Sequence, residues 1–281
     1  VSMFSWLFCV LLSFAWADQF AVVIDTSKSM SGYRSSAGWV AGQDVNKLSL
    51  LGTMMLADLL DPSEDELFVT SFEENLNLRG ITQLSGSTRS TFYRRKDIAD
   101  LTEVGTQDFR TLLLNNIQYN ARQTVFTPYI EQAIQELKLR SSQHDNNVVI
   151  VLTDGKSEKE EMEVEAFKRI GKEAREANIE IYFIQIGRRD YNLSQWFKLR
   201  GNGGHILVSP NKVDEMLGAF ATVLDETTNR QLKEYSNGRP SYLAKGRSKN
   251  ISIDSMVSKF DVIAVNPSAA LIKGGHDLLT Q

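Results

Sequence analysis

Short, continuously apolar runs alternate along this chain with segments whose apolar residues recur every three or four positions. The continuous runs predict buried strands, and they lie at 20–25, 66–72, 147–153, 179–186 and 205–208. The recurring pattern predicts helices at 45–60, directly after Pro128, at 160–177 and at 212–228. Because each strand is apolar throughout, both faces of the sheet must be covered. The pattern therefore predicts an α/β fold, with a doubly wound, mainly parallel central sheet flanked by helices.

Polar residues follow two of these strands at the point where each strand ends. Asp25-Thr-Ser-Lys-Ser29 follows the first strand, and Thr153-Asp154-Gly155 follows the strand at 147–153. Parallel sheets bind ligands beyond the carboxyl ends of their strands, where these side chains can converge. Two carboxylates with several hydroxyls suit a hard divalent cation such as Mg²⁺, which prefers oxygen ligands and keeps part of its water shell. An incomplete protein shell leaves a position that a carboxylate from outside can take.

Composition supports a site built from oxygen. The chain has 281 residues, 42% hydrophobic and 23% charged, which is ordinary for a globular protein. Its formal net charge of −4 gives no general indication of nucleic-acid binding. A single cysteine and three histidines exclude a disulfide framework and argue against a zinc centre.

These motifs resemble those of the von Willebrand factor A (integrin I-like) domain family. Its metal-ion-dependent adhesion site combines Asp-x-Ser-x-Ser, a separate threonine, and an aspartate in a Thr-Asp-Gly turn. The resemblance covers 19–229 and implies a Rossmann-like fold holding Mg²⁺, with Mn²⁺ or Ca²⁺ as alternatives. It also implies that Ser27 and Ser29 ligate the ion through their hydroxyls, whereas Asp25 and Asp154 act mostly through bound water.

Two residues compete for the place of the separate threonine. Counting back from the apolar positions of the helix after Pro128 favours Thr124. Thr127 is the alternative ligand, and it could instead cap that helix, with Pro128 in its first turn.

The first 17 residues are typical of a secretory signal peptide. They contain no charge until Asp18 and end in Ala15-Trp-Ala17, the small-x-small pattern read by signal peptidase. The run is too short to span a bilayer, and the alternative is a buried N-terminal strand or helix. We expect cleavage after Ala17, a periplasmic or secreted location, and no transmembrane segment after cleavage.

The stretch between Phe72 and Thr124 is longer than a simple crossover needs and contains Arg94 and Arg95. It is either a solvated elaboration or a partner-selecting surface beside the metal, where arginines would assist an acidic ligand. The acidic run at 158–163 is interpreted as the exposed first turn of the following helix.

Composition changes after the first domain, which we place at 18–229. Residues 230–249 are typical of a linker, and 250–281 contain two further apolar runs that predict strands. These strands resemble the beginning of an immunoglobulin-like module, too short for a complete sandwich. Either the module is truncated or the strands fold back on the main domain; we favour truncation.

The favoured function is an exported adhesion or interaction module that captures an Asp or Glu side chain of a partner protein through a bound cation. We expect no enzymatic activity, because no hydrolase or phosphate-binding motif accompanies the site. The alternatives are a metal-assisted hydrolase using the same ion, and a subunit of an ATPase-driven complex, which would be cytosolic.

Overall fold

A computed structural model describes residues 18–60, 65–72, 90–94, 113–114, 117–119, 121, 125–140, 146–155, 160–187 and 202–228. The predicted signal peptide (1–17), linker (230–249) and C-terminal β segment (250–281) lie outside the described residues. None of the described helices combines the length and apolarity needed to cross a bilayer.

Strands and helices alternate along the described chain. The strands are β1 (Asp18–Ile24), β2 (Gly32–Ser35), β3 (Gly38–Ala41), β4 (Glu66–Ser71), β5 (Ser90–Arg94), β6 (Asn146–Thr153), β7 (Ile179–Ile186) and β8 (His205–Val208). The helices are α1 (Lys28–Ser31), α2 (Leu48–Leu59), α3 (Thr127–Arg140), α4 (Glu160–Glu176) and α5 (Val213–Thr227).

Six of the described strands form one sheet in the order β5-β4-β1-β6-β7-β8. All neighbours pair in parallel except β5, which runs antiparallel to β4 at one edge. Strands β2 and β3 form a separate antiparallel hairpin. The predicted mainly parallel α/β fold is confirmed.

Alternate residues of β1 enter two hydrophobic cores, one on each face of the sheet. Phe20, Val22 and Ile24 pack on the face covered by α2 and α5. Ala21 and Val23 pack on the face covered by α3 and α4. Since every residue of β1 is buried, this two-sided packing explains why the strand has no polar alternation.

Four described elements were not expected from the sequence: α1, the two strands of the hairpin, and β5. Helix α1 is a single turn within the polar loop after β1, and the hairpin follows it directly. Both lie in a Ser- and Gly-rich stretch whose apolar residues are too few to produce a periodic pattern. Strand β5 lies in the stretch between Phe72 and Thr124, where its sequence, Ser-Thr-Phe-Tyr-Arg, lacks a continuous apolar run.

Helices α2 and α5 approach each other closely at a glycine. A Cβ on Gly52 would lie 2.2 Å from Cε2 of Phe220, whose side chain is completely buried. Gly218, inside α5, has open space where its Cβ would be. A side chain at position 52 would therefore clash with Phe220, whereas a side chain at position 218 would meet no neighbouring atom.

We predict that Gly52→Ala destabilises the protein by about 1–3 kcal/mol, because the buried Phe220 ring has nowhere to move. Gly218→Ala is the matched control and should stabilise by up to about 1 kcal/mol, since alanine is the better helix former. Urea unfolding measures both free energies. A neutral or stabilising Gly52→Ala would contradict the described packing of α2 on α5.

Candidate metal centre

Two aspartates stand side by side at the carboxyl edge of the sheet. Asp25 follows β1 and Asp154 follows β6, and these two strands are direct neighbours. The Asp25 N–H donates to the Leu152 carbonyl at 2.8 Å, which continues the ladder to the end of both strands. Both aspartates are completely buried. Strand pairing thus brings together two residues that lie 129 positions apart in the sequence.

The carboxylate of Asp25 is oriented by hydrogen bonds to both of its oxygens. The Ser27 N–H donates to Oδ1 at 2.9 Å, and the Thr153 hydroxyl donates to Oδ2 at 2.7 Å. The Thr153 hydroxyl in turn accepts the Gly155 N–H at 3.0 Å. Gly155 has φ +89°, a conformation that favours glycine in the turn after Asp154.

The two serines of the first motif point their hydroxyls at each other. Their Oγ atoms are 2.9 Å apart, with Ser27 buried and Ser29 partly exposed. Helix α1 brings this about, because its single turn carries the chain back and the Met30 N–H donates to the Ser27 carbonyl at 3.0 Å. Met30 is itself fully buried in the core, which anchors the loop.

A second segment is fixed beside this loop. Ala121 forms an isolated parallel bridge with Ser27, its N–H donating to the Thr26 carbonyl at 3.1 Å. The Lys28 N–H donates to the Ala121 carbonyl at 3.2 Å. Thr124, the favoured third-motif residue, comes three positions later and lies outside the described residues.

Burial and mutual repulsion set the electrostatics of the pair. Burial, and after it the nearby charge of Asp154, raise the pKa of Asp25 to about 7, against the lowering effect of the hydrogen bonds from Ser27 and Thr153. The described residues contain no cluster of three or more His, Cys, Asp or Glu side chains. A cation here would therefore need hydroxyls and water besides the two carboxylates, a donor set that fits Mg²⁺ or Mn²⁺.

The side chain of Thr127 forms a hydrogen bond with a residue of α4. Thr127 is the first residue of α3, and its hydroxyl donates to Oε1 of Glu163 at 3.0 Å. The same oxygen accepts the N–H groups of Phe126 and Thr127, each at 2.7 Å. A carboxylate from α4 thus satisfies the free amides at the start of α3. Of the two roles considered for Thr127, the described contacts place it at this helix terminus.

The interpretation of 158–163 as an exposed acidic turn is wrong for Glu163. Its side chain is only 2% exposed and faces α3. The sequence places Glu163 within the first turns of a helix but does not say which neighbouring helix that face meets. As expected, the negative charge of Glu163 stabilises a helix N-terminus. It is the N-terminus of α3, however, and not that of α4, the helix that carries Glu163.

Arg94 does not lie beside the aspartates. It pairs with Glu66 across β4–β5, and Glu66 pairs with Gln19 at the start of β1. Six strand residues, or about 20 Å, separate that level from Asp25. The strand register therefore places the backbone of Arg94 at the opposite edge of the sheet from Asp25. The reason is that β5 runs antiparallel and carries its last residue to the opposite edge. Arg95 lies outside the described residues.

The sequence analysis did not predict a buried polar network behind the loop of residues 25–31, the candidate metal loop (hereafter the metal loop). Asp44 is 1% exposed and accepts the N–H groups of Leu48 at 2.5 Å and Ser49 at 3.2 Å. It also accepts the Tyr119 hydroxyl at 2.8 Å and the Ser49 hydroxyl. Burial raises the pKa of Asp44, partly offset by these bonds. An aspartate just before a helical pattern is a capping signal, so the sequence did contain a clue.

The Asp44 main chain connects this network to the metal loop. Its N–H donates to the Met30 carbonyl at 2.8 Å, and the neighbouring Gln43 N–H donates to the Ser29 carbonyl at 3.0 Å. The segment that precedes α2 therefore fixes the position of Ser29.

The geometry shows a mainly parallel α/β domain with two buried aspartates at the carboxyl edge of its sheet. A family model for the von Willebrand factor type A domain matches residues 68–209, half of the chain. The chain belongs to this family. The matched range includes Asp154 and begins after the Asp25–Ser29 motif.

Solved structures with a similar fold come from varied proteins. Proximal thread matrix protein 1 from the mussel byssus is 16% identical at a TM-score of 0.46, covering 73% of this chain and 45% of its own. The VWA domain of SpRpn10 is 12% identical at 0.45, covering 81% and 99%. Manganese-loaded TRAP protein of Plasmodium vivax is 13% identical at 0.40, covering 73% of each chain. No match was found among curated proteins.

We predict that the metal-free protein loses stability as pH rises between the ordinary Asp25 pKa of 3.8 and about 7. In this window the folded state still binds the proton that the unfolded chain has released, so the unfolding free energy falls with pH. At ~1.4 kcal/mol per pKa unit, the loss attributable to Asp25 should reach a few kcal/mol. Urea unfolding in EDTA across this range measures it.

Asp25→Asn is the matched control, because it keeps the shape and removes the titration. Its unfolding free energy should fall less across the same window than that of the wild type. Equal pH profiles for the two proteins would contradict the described burial of the carboxylate pair.

We also predict that Glu163→Ala destabilises the fold by about 2–3 kcal/mol, because it leaves two amides and one hydroxyl of the α3 terminus without their shared acceptor. Glu165→Ala is the control on the same helix, where Glu165 pairs with Lys168 on the surface. That exposed pair should change stability by no more than about 0.5 kcal/mol. Thermal unfolding distinguishes the two, and equal losses would refute the buried cap.

Proposed function

We propose that this protein is an exported, metal-dependent protein-binding module. It holds a divalent cation, Mg²⁺ first and Mn²⁺ or Ca²⁺ as alternatives, and captures an Asp or Glu side chain of a partner protein. The ligands are Ser27, Ser29, Asp25 and Asp154, with Thr124 as the fifth. The observation that carries this proposal is the pair of completely buried carboxylates beside two converging serine hydroxyls.

Energetics supports a cation at this place. Burying two neighbouring carboxylates away from water costs free energy, and the raised pKa of Asp25 reflects that cost. A divalent ion would offset both the burial and the repulsion, and it would favour the deprotonated form of each group. The cation supplies a positive charge with an open coordination position when bound. The chain's own residues would determine the position of the ion, since hydrogen bonds from Ser27 and Thr153 fix the orientation of the Asp25 carboxylate.

The partly exposed position of Ser29 supports capture of a ligand from outside. Ser27 is buried whereas Ser29 reaches the surface, so an ion between their hydroxyls would be accessible from one side. A protein carboxylate is a suitable ligand for a hard cation that lacks a full protein shell. We assign binding and not turnover, because no hydrolase or phosphate-binding motif accompanies these residues in the sequence.

Export is the part of the proposal that rests on the sequence at 1–17. Cleavage after Ala17 would leave β1 intact, because this strand begins at Asp18. The Asp18 N–H donates to Oδ1 of Asp65 at 3.0 Å, so the new terminus would start within a hydrogen-bonded strand.

We predict that Mg²⁺ or Mn²⁺ raises the melting temperature of the wild type, because an ion that binds only the folded state stabilises it by mass action. Ser27→Ala should reduce this increase, since it removes one ligand from the loop. Thr222→Ala is the matched control, removing a helix hydroxyl that bonds the Gly218 carbonyl away from the site. Scanning fluorimetry across a metal titration measures all three.

The same variants test partner capture. Wild-type protein should retain a partner from the extracytoplasmic fraction of the source cells in Mg²⁺ and release it in EDTA. Thr222→Ala should behave as the wild type, whereas Ser27→Ala should retain less. Capture that is equal in EDTA, or equal for Ser27→Ala, would contradict metal-dependent binding.

A further inference from the structure

The β2–β3 hairpin follows the metal loop directly in the chain. It begins at Gly32, three residues after Ser29, and ends at Ala41, shortly before the buried Asp44. Each strand has four residues, so the hairpin extends by about 13 Å. The base of the hairpin therefore lies only three residues from Ser29, which is partly exposed.

The root of the hairpin is packed tightly against the metal loop. A Cβ on Gly42 would lie 2.2 Å from the Met30 carbonyl oxygen, closer than any side chain allows. The Gln43 and Asp44 N–H groups donate to the carbonyls of Ser29 and Met30. The hairpin is thus held in a defined place beside the serine hydroxyls.

Its side chains contribute little to the core. Trp39 is 69% exposed and Tyr33 is 37% exposed, and Arg34 is also exposed. Pairing places Arg34 directly opposite Trp39, so both lie on one face, while Tyr33 and Val40 share the other face. Exposed tryptophan beside arginine is the composition that is enriched at the centres of protein interfaces.

Charge indicates what kind of partner this surface suits. Residues 26–43 contain two cations, Lys28 and Arg34, and no carboxylate, although the chain as a whole has a net charge of −4. Lys28 is exposed and lies between the two serines of the motif. The metal loop and hairpin therefore form a locally positive surface that complements an acidic segment.

We propose that the β2–β3 hairpin is the second contact surface for the partner of the metal site, and that its occupant is an extended acidic protein segment. One carboxylate of that segment completes the metal shell, a neighbouring carboxylate pairs with Arg34, and an apolar side chain packs on Trp39. The inference rests on the proposed function for the ion. It adds that the hairpin, and not the ion alone, selects the partner.

The test uses peptides selected on the full chain. A random dodecapeptide library displayed on phage is bound in Mg²⁺ and eluted with EDTA, and the eluted peptides are synthesised with a fluorescent label. Anisotropy then measures their affinity for the wild type, Trp39→Ala, Arg34→Ala and the control Leu139→Ala. Leu139 is 78% exposed at the end of α3, on the opposite edge of the sheet.

We expect acidic peptides whose affinity falls about tenfold or more in Trp39→Ala and in Arg34→Ala, and is unchanged in Leu139→Ala. Calorimetry with Mg²⁺ alone should give the same metal affinity for all four proteins. Eluted peptides that bind both hairpin variants as tightly as the wild type overturn the hairpin inference and leave the proposed function standing. A changed metal affinity in the hairpin variants also overturns it, because the effect then acts through the metal loop. If EDTA elutes no peptide, the proposed function fails and the hairpin inference with it.

Discussion

Two buried carboxylates at the ends of neighbouring parallel strands are the constraint around which this domain is arranged. The register of β1 against β6 pairs Ile24 with Leu152, so Asp25 and Asp154 cannot move apart without breaking the centre of the sheet. Burial and the neighbouring charge of Asp154 raise the pKa of Asp25. The surrounding residues respond to this cost: Ser27 and Thr153 donate hydrogen bonds, and the serine hydroxyls converge where a cation would balance the charge.

The loop that carries the serines is held from three directions. Strand β1 fixes its start, and the bridge to Ala121 fixes one side. The segment before α2 fixes its end through the hydrogen bonds that Gln43 and Asp44 donate. Asp44 takes part in several of these contacts. Its carboxylate accepts hydrogen bonds from the first amides of α2 and from the Tyr119 hydroxyl, and its N–H donates to the Met30 carbonyl. Burial and the charge of Asp44 raise the pKa of Tyr119, so this phenol stays a neutral donor. These hydrogen bonds connect the exposed hairpin to the same loop that carries the serines.

How far the sequence predicts this arrangement depends on the range of each interaction. The parallel strands are predictable because burial on both faces leaves continuous apolar runs, as in Ile179–Ile186, whose bounds match the expected ones. Convergence of Asp25 and Asp154 follows from the rule that parallel strands share a carboxyl edge. The role of Glu163 was not predictable, because it depends on which helix packs opposite α4. The place of Arg94 was missed for a similar reason, since the antiparallel direction of β5 is set by pairing and not by composition.

Anomalous diffraction from a crystal of the full chain soaked in Mn²⁺ would show whether the oxygen atoms of this loop hold a divalent cation. We expect one manganese peak at the carboxyl edge of the sheet, within about 2.2 Å of the Ser27 and Ser29 hydroxyl oxygens and near both aspartates. The same soak of Ser27→Ala should weaken or remove that peak. A well-ordered loop with no manganese peak, or a peak bound only elsewhere, would contradict the account.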